Sequence, residues 1–250
     1  MATYLYCVLA PRRSDAPALR LTGVGGAPVR AIVGAGLEAW VSTIDDATLV
    51  TNGRVMGEQA VLHNDVVEAA LATGQTPLPA RFGSRFADDV ACVAYLEQHH
   101  SELSAPLTRI ADAVEMSVLL VPIVPSKETD RQAPRREDPA AGRRYLEAVR
   151  ERTRQDERRR AAAASLAGRI TSAVAPIIRG ASHEARSAGV VSVAHLVGRS
   201  ELDEYKRAIA ALVPEMGYRI LLAGPRAPYS FAGENGSIVG HDSSSPSRDE

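Results

Sequence analysis

The decapeptide Pro77-Leu78-Pro79-Ala80-Arg81-Phe82-Gly83-Ser84-Arg85-Phe86 restricts the fold more than any other stretch of this chain. Its prolines fix φ near an extended value and turn the residues before them away from helix. Gly83 frees the backbone between Phe82 and Phe86, two of only 3 phenylalanines in the sequence. Helical patterns lie on both sides. The stretch therefore reads as a rigid, extended joint packed by aromatics, with no catalytic chemistry of its own.

Around that joint the hydrophobic period alternates. Residues 3–9 are apolar on both faces and predict a central strand. Val29 to Val33 and Leu37 to Ile44 predict two strands joined by the hairpin turn Gly34-Ala35-Gly36. From Arg54 to Thr73 the period is helical, with Gly74 as the stop. A further helix capped by Asp88 or Asp89 carries a seam from Val93 to Val114, and Pro106 predicts a kink or a restart near Ser104.

Met116 to Val121 is an all-apolar strand, followed by a polar, proline-bearing linker over 125–142. Arg143 to Ser187 reads as helix in one or two pieces, bent at Pro176. Strands Val190 to Val197 and Tyr218 to Ala223 then enclose a short amphipathic helix, Glu201 to Pro214. The expected class is α+β in two domains. An N-terminal mixed sheet with helices occupies 1–113. A C-terminal domain with a long helical insertion occupies 114–232, and a tail over 233–250 is expected to be disordered.

The totals exclude several function classes. A net charge of −1 sets up no global field toward nucleic acid or an anionic membrane. Cys7 and Cys92 are too few and too far apart for a disulfide framework or a zinc site, and read as buried free thiols. No secretory signal and no apolar run near the ~20 residues of a membrane span is visible, so a cytoplasmic location is expected.

Sites for chemistry are equally sparse. No G-x-S-x-G, H-E-x-x-H, P-loop or C-x-x-C occurs. Thr22 to Gly26 is glycine-rich, but Pro28 stands where a dinucleotide fingerprint needs its third glycine. His63 and His195 fall on apolar stripes and read as hydrogen-bonded core groups. His99 and His100 point about 100° apart on a helix and cannot form a metal pair. No catalytic, cofactor-binding or metal-ligating residue is nominated, and no cofactor is expected. Over Arg143 to Arg160, eight arginines against four carboxylates leave a formal +4. Interleaved charges such as Glu147–Arg150, Glu151–Arg154 and Asp156–Arg160 read as a solvated helix face. An RNA-binding or nucleoid-associated module is the sharper alternative, and an enzyme with a dispersed site is a third reading.

Two motif groups carry a resemblance. Tyr4-Leu5-Tyr6, His63 before Val66-Val67-Glu68, and Pro77 through Gly83, with Pro79, Arg81, Phe82 and Gly83 at its centre, resemble the N-terminal half of the GvpF/GvpL gas vesicle protein family. Gly224-Pro225-Arg226-Ala227-Pro228-Tyr229-Ser230-Phe231 resembles that family's closing Gly-Pro-Trp-Pro-Pro-Tyr-x-Phe motif, with Arg226-Ala227 in place of Trp-Pro. If that tryptophan is an anchor, Tyr229 and Phe231 must replace it here.

The resemblance runs from about Thr3 to Ala232, and it implies a non-enzymatic accessory or minor structural protein of gas vesicles. Such a protein binds the small hydrophobic shell protein, and other accessory proteins, to assist nucleation and assembly. It implies a location at the gas vesicle in the cytoplasm, no nucleic acid and no membrane partner, and a ferredoxin-like second domain. Pro79, Arg81, Phe82, Gly83, Gly224, Pro225, Pro228, Tyr229 and Phe231 are the interaction residues it suggests.

Overall fold

Strand β1 (Ala2–Leu9) is buried along its whole length, because both of its faces are apolar and both of its edges are paired. In this computed structural model, which describes residues 1–11, 19–45, 48, 53–123, 141–185, 190–212 and 218–232, β1 is the centre of the first sheet. Strands β2 (Arg30–Gly34) and β3 (Leu37–Ile44) form the expected antiparallel hairpin, and β3 lies beside β1. The β1–β3 register shifts between Leu5 and Cys7, which places a bulge at Tyr6.

The proline-rich joint forms the other border of β1, as two dipeptide strands. Leu78–Pro79 (β4) pairs with Val8 and Cys7, and Arg85–Phe86 (β5) pairs with Tyr4 and Thr3. Between them Ala80 donates to the Tyr6 carbonyl and Ser84 accepts the Leu5 N–H, both at 2.9 Å, and the chain reverses through Gly83 at φ 91°, where a side chain is disfavoured. An edge strand suits proline, whose missing N–H costs nothing on the open side. Helix α1 (Gly53–Ala72) buries Gln59, His63, Val66, Val67, Ala70 and Leu71 on one face.

Helices α2 (Asp89–Gln98) and α3 (His100–Ile110) meet at His99, with the Asp88 carboxylate capping α2 through the Ala91 N–H at 2.8 Å. The restart thus lies at His99, not near Ser104, and Pro106 is accommodated inside α3. The aromatic ring of Tyr95 lies 4.4 Å from that of His99, whose Nδ1 meets Glu102 at 2.9 Å. Cys7 and Cys92 are both free and buried, and burial pushes the Cys92 thiol up to about 12.

The second sheet combines β6 (Ala113–Pro122), β7 (Ile178–Ala185), β8 (Val191–Gly198) and β9 (Tyr218–Arg226) in the order β7-β8-β6-β9. Helix α4 (Ala141–Val174) follows β6, and α5 (Leu202–Ala211) follows β8. Leu166, Ile170 and Val174 of α4 and Tyr205 and Ile209 of α5 share a core with Met116, Val118, Val191 and Val193. The expected helix through Ser187 is corrected here. It ends at Val174, just before Pro176, and Ile178–Ala185 is strand, paired antiparallel to β8.

Two sheets and five helices among the described residues place the chain in the α+β class. It divides into two compact units, Met1–Glu115 with Pro225–Glu250, and Met116–Gly224. Residues 225–232, which the sequence grouped with 114–232, lie in the first of these. The linker over 125–140 and the tail over 233–250 fall outside the described residues, while Ala141 and Gly142 already belong to α4.

The β2–β3 turn has φ of 50° at Ala35 and 75° at Gly36, so both central residues occupy the left-handed region. That geometry suits Asn-Gly, whereas a Cβ of ordinary type strains there by about 1 kcal/mol. Ala35→Asn is expected to stabilise the chain by about 0.5–1 kcal/mol. A calorimetric melting point unchanged or lowered in the variant would refute that reading of the turn.

Candidate functional site

The site begins with the tyrosines of β1. The Tyr6 hydroxyl donates to Ser42 Oγ at 3.0 Å and accepts the Val24 N–H at 2.9 Å, while Ser42 donates on to the Pro28 carbonyl. The Tyr4 hydroxyl accepts the Gly83 N–H at 3.2 Å and lies 2.9 Å from His63 Nδ1. On its other side, His63 Nε2 faces the Ala80 carbonyl at 3.2 Å. A carbonyl only accepts, so Nε2 carries the proton, and Nδ1 accepts from Tyr4.

That arrangement satisfies a neutral imidazole completely and leaves no room for a charged one. Burial accordingly lowers the His63 pKa to about 4. The Tyr4 hydroxyl is raised above its ordinary value, also chiefly by burial. Edge-on ring contacts of His63 with Tyr4 at 5.7 Å and with Phe82 at 5.9 Å complete a rigid aromatic floor.

Above that floor the closing segment is pinned by two carboxylates. The Glu115 side chain, 0 % exposed, accepts Arg226 Nη2 at 2.6 Å and Nε at 3.0 Å on one oxygen. Its other oxygen accepts the Ser230 N–H at 2.8 Å. Glu68 of α1 accepts the Ala227 N–H at 3.0 Å, and the Arg109 guanidinium donates to the Phe231 carbonyl. The segment then turns through a short 3-10 helix, Tyr229–Phe231.

The result is an open cavity of about 470 Å³ lined by Ala60, His63, Asn64, Pro79, Ala80, Arg81, Phe82, Tyr229 and Ala232. Its walls are mostly apolar, and among the described residues of that lining Arg81 is the one charged side chain. The sequence-suggested residues therefore divide. Pro79, Arg81, Phe82 and Tyr229 meet at the cavity. Gly83 supplies the turn and the N–H to Tyr4, and Pro228 and Phe231 are buried supports beside it. Gly224, at φ 114°, and Pro225 belong to β9 and do not reach the lining.

The family model for gas vesicle synthesis proteins GvpL/GvpF matches residues 2–233. The chain belongs to the GvpL/GvpF family. It is 30% identical over 251 residues to gas vesicle protein L of a Streptomyces species, covering 92% of each chain. It is 26% identical over 255 residues to gas vesicle protein L1 of Halobacterium salinarum, covering 93% of this chain and 91% of that protein. In three dimensions it is similar to the crystal structure of GvpF from Microcystis aeruginosa, with a TM-score of 0.68 at 16% identity, over 93% of this chain and 99% of that one. GvpF from Anabaena gives a TM-score of 0.63, also at 16% identity, over 93% and 98%.

Ala227 uses its N–H to bind Glu68, a bond that a proline at this position could not make. Arg226 in turn supplies the cation that the buried Glu115 carboxylate requires. Glu115 and Arg109 were not singled out by the sequence, and Glu68 stood there only as the end of the His63 motif, without a role. The available signal was Glu115 itself, a lone carboxylate within the apolar run Ala113 to Val121.

Among the described residues no group of His, Cys, Asp and Glu is placed to hold a metal, and no helix is long and apolar enough to cross a membrane. His195 repeats the His63 pattern in the second unit. Its ring nitrogens meet Tyr205 Oη at 2.7 Å and Thr171 Oγ1 at 3.0 Å, and burial lowers its pKa to about 4.

Two outcomes follow. Glu115→Ala removes the carboxylate that Arg226 and the Ser230 N–H share and is expected to cost about 3 kcal/mol. It should also speed proteolysis at the C-terminal end; unchanged stability and protease resistance would refute the clamp. Both histidines titrate near 4 when folded against 6.5 when unfolded, so between those values the unfolded chain binds the extra protons. Stability should be flat above pH 6.5 and fall by about 3 kcal/mol per histidine as pH drops to 4. Urea midpoints that do not change between pH 6.5 and 4.5 would contradict it.

Proposed function

We propose that this GvpL/GvpF protein binds the small hydrophobic gas vesicle shell protein and assists nucleation and assembly of the vesicle wall, through the groove between Ala60, Phe82 and Tyr229. The observation that carries this reading is convergence. Two family motifs about 150 residues apart in sequence meet at one exposed, mostly apolar cavity. A subunit destined for an apolar shell exposes greasy surface before assembly and aggregates unless that surface is covered. A groove walled by Phe82, Pro79 and Tyr229 suits an apolar side chain, and Arg81 at the wall suits an adjacent carboxylate or carbonyl.

The same cavity is where an enzymatic reading would have to rest, since it contains His63 and Arg81. Both ring nitrogens of His63 are committed to Tyr4 and Ala80, which argues against a proton-transfer role and for a rigid floor. The partners proposed are therefore the shell protein and other gas vesicle accessory proteins, with the protein acting at the gas vesicle in the cytoplasm. We also read the second unit, Met116–Gly224, as a folding domain of its own, ferredoxin-like in its β-α-β-β-α-β element order and in its strand order β7-β8-β6-β9.

Arg81 is exposed, so Arg81→Glu should leave the melting point unchanged, whereas Tyr229→Ala removes a ring that is 38% exposed and should lower it modestly. Each is expected to weaken pull-down of the shell protein about tenfold, and Ala60→Trp, which fills the groove, should do the same. Wild-type retention by all three variants, or normal vesicles in a deletion strain, would overturn the proposal.

A further inference from the structure

Helix α4 runs for 34 residues, but only its C-terminal part is packed. Ala163, Leu166, Ala167, Ile170 and Val174 are buried in the second unit's core. The Tyr218 hydroxyl, donating to the Arg159 carbonyl at 2.7 Å, ties the helix where that packing begins. N-terminal to Arg159 the described side chains are exposed on every face, over a rod about 27 Å long. Large apolar groups are among them: Tyr145 is 67% exposed and Leu146 56%.

The exposed part is patterned. Tyr145, Val149, Arg152, Asp156, Arg159, Ala163, Leu166 and Ile170 follow one another at alternating steps of four and three. This is one continuous heptad seam. Its last three members are the stripe that packs on the sheet, so its first five continue the same face away from the unit's core. Apolar residues begin the seam, and two arginines around one aspartate occupy its middle. Among the described side chains of this stretch, Arg159 pairs with Asp156 at 3.9 Å.

We propose that the N-terminal half of α4 is a docking rod for an acidic amphipathic helix of another protein. That helix would set apolar side chains against Tyr145 and Val149 and carboxylates against Arg152 and Arg159. Charge complementarity selects this occupant. The segment from Arg143 to Arg160 has a formal +4, which repels a second copy of itself and attracts a negative partner. Nucleic acid is disfavoured because Glu147, Glu151, Asp156 and Glu157 are interleaved with the arginines, and Tyr145 is the only aromatic available for stacking. This surface is independent of the groove at Phe82 and Tyr229, and either can fail without the other.

The test is site-specific photocrosslinking with the full chain, expressed together with its gas vesicle gene cluster. A photoreactive residue replaces Val149 on the seam or Arg154 on the opposite face, and crosslinked peptides are identified by mass spectrometry. Adducts from position 149, and not from 154, to a net-negative helical segment of another protein are expected. Arg152→Glu with Arg159→Glu should lower their yield about tenfold, with the circular dichroism of the chain unchanged. Adducts to a second copy of this chain, adducts to RNA, equal labelling from both faces, or no adduct would each overturn the proposal.

Discussion

The buried carboxylate of Glu115 is the group on which the candidate site depends. A fully desolvated carboxylate is tolerated only when both oxygens are occupied, and here three donors from one short segment occupy them. Because two of those donors belong to Arg226 and the third to the Ser230 backbone, the carboxylate fixes both the position and the direction of the closing segment. Tyr229, lying between them in sequence, is thereby held at the cavity wall. Glu68 and Arg109 add polar ties on either side, at Ala227 and Phe231. The wall is thus held by polar bonds to backbone and guanidinium groups, which leaves its aromatic face available.

The floor of the site is built on the opposite principle. Tyr4 and His63 are buried polar groups that satisfy one another and the turn from Ala80 to Gly83, so they set the shape of the edge interruption. The two short strands on either side of that turn anchor it to β1, and Gly83 allows the reversal. Rigidity is the consequence. A groove whose floor is neutral and fully hydrogen-bonded loses little freedom when a partner side chain enters, which is where preorganised sites gain affinity.

Much of this was legible in the sequence, for identifiable reasons. The strands at 2–9 and 191–198 are long apolar runs, and the Gly34-Ala35-Gly36 hairpin carries its own turn signal, so local pattern sufficed. Strand β7 was missed because Arg179, Ser182 and His183 break its apolar alternation and it directly follows a long helix. The packing that fixes it, against β8, is not local. In the site, the aromatic and proline residues were visible as motifs, but their anchors were not. Glu68 closes the quoted His63 motif with nothing local to show what it binds, and Arg109 looks like any last-turn cation. Only the tertiary fold brings each within reach of a backbone group more than 100 residues away.

Helix α4 shows how one periodic pattern can have two physical meanings. Where the seam residues are Ala163, Leu166 and Ile170, burial against β8 and α5 holds the helix, and propensity is secondary. Where they are Arg152, Asp156 and Arg159, no sheet lies beneath them, and the helix persists on the propensity of its arginines, glutamates and alanines. A purely solvated helix needs no seam, and random placement of its apolar residues would serve as well. Tyr145 and Val149 instead keep the phase of the buried stripe across four turns. Exposed apolar side chains held in register with a packing face are the pattern of a surface shaped to receive another helix, and the arginines between them set the charge that helix must carry.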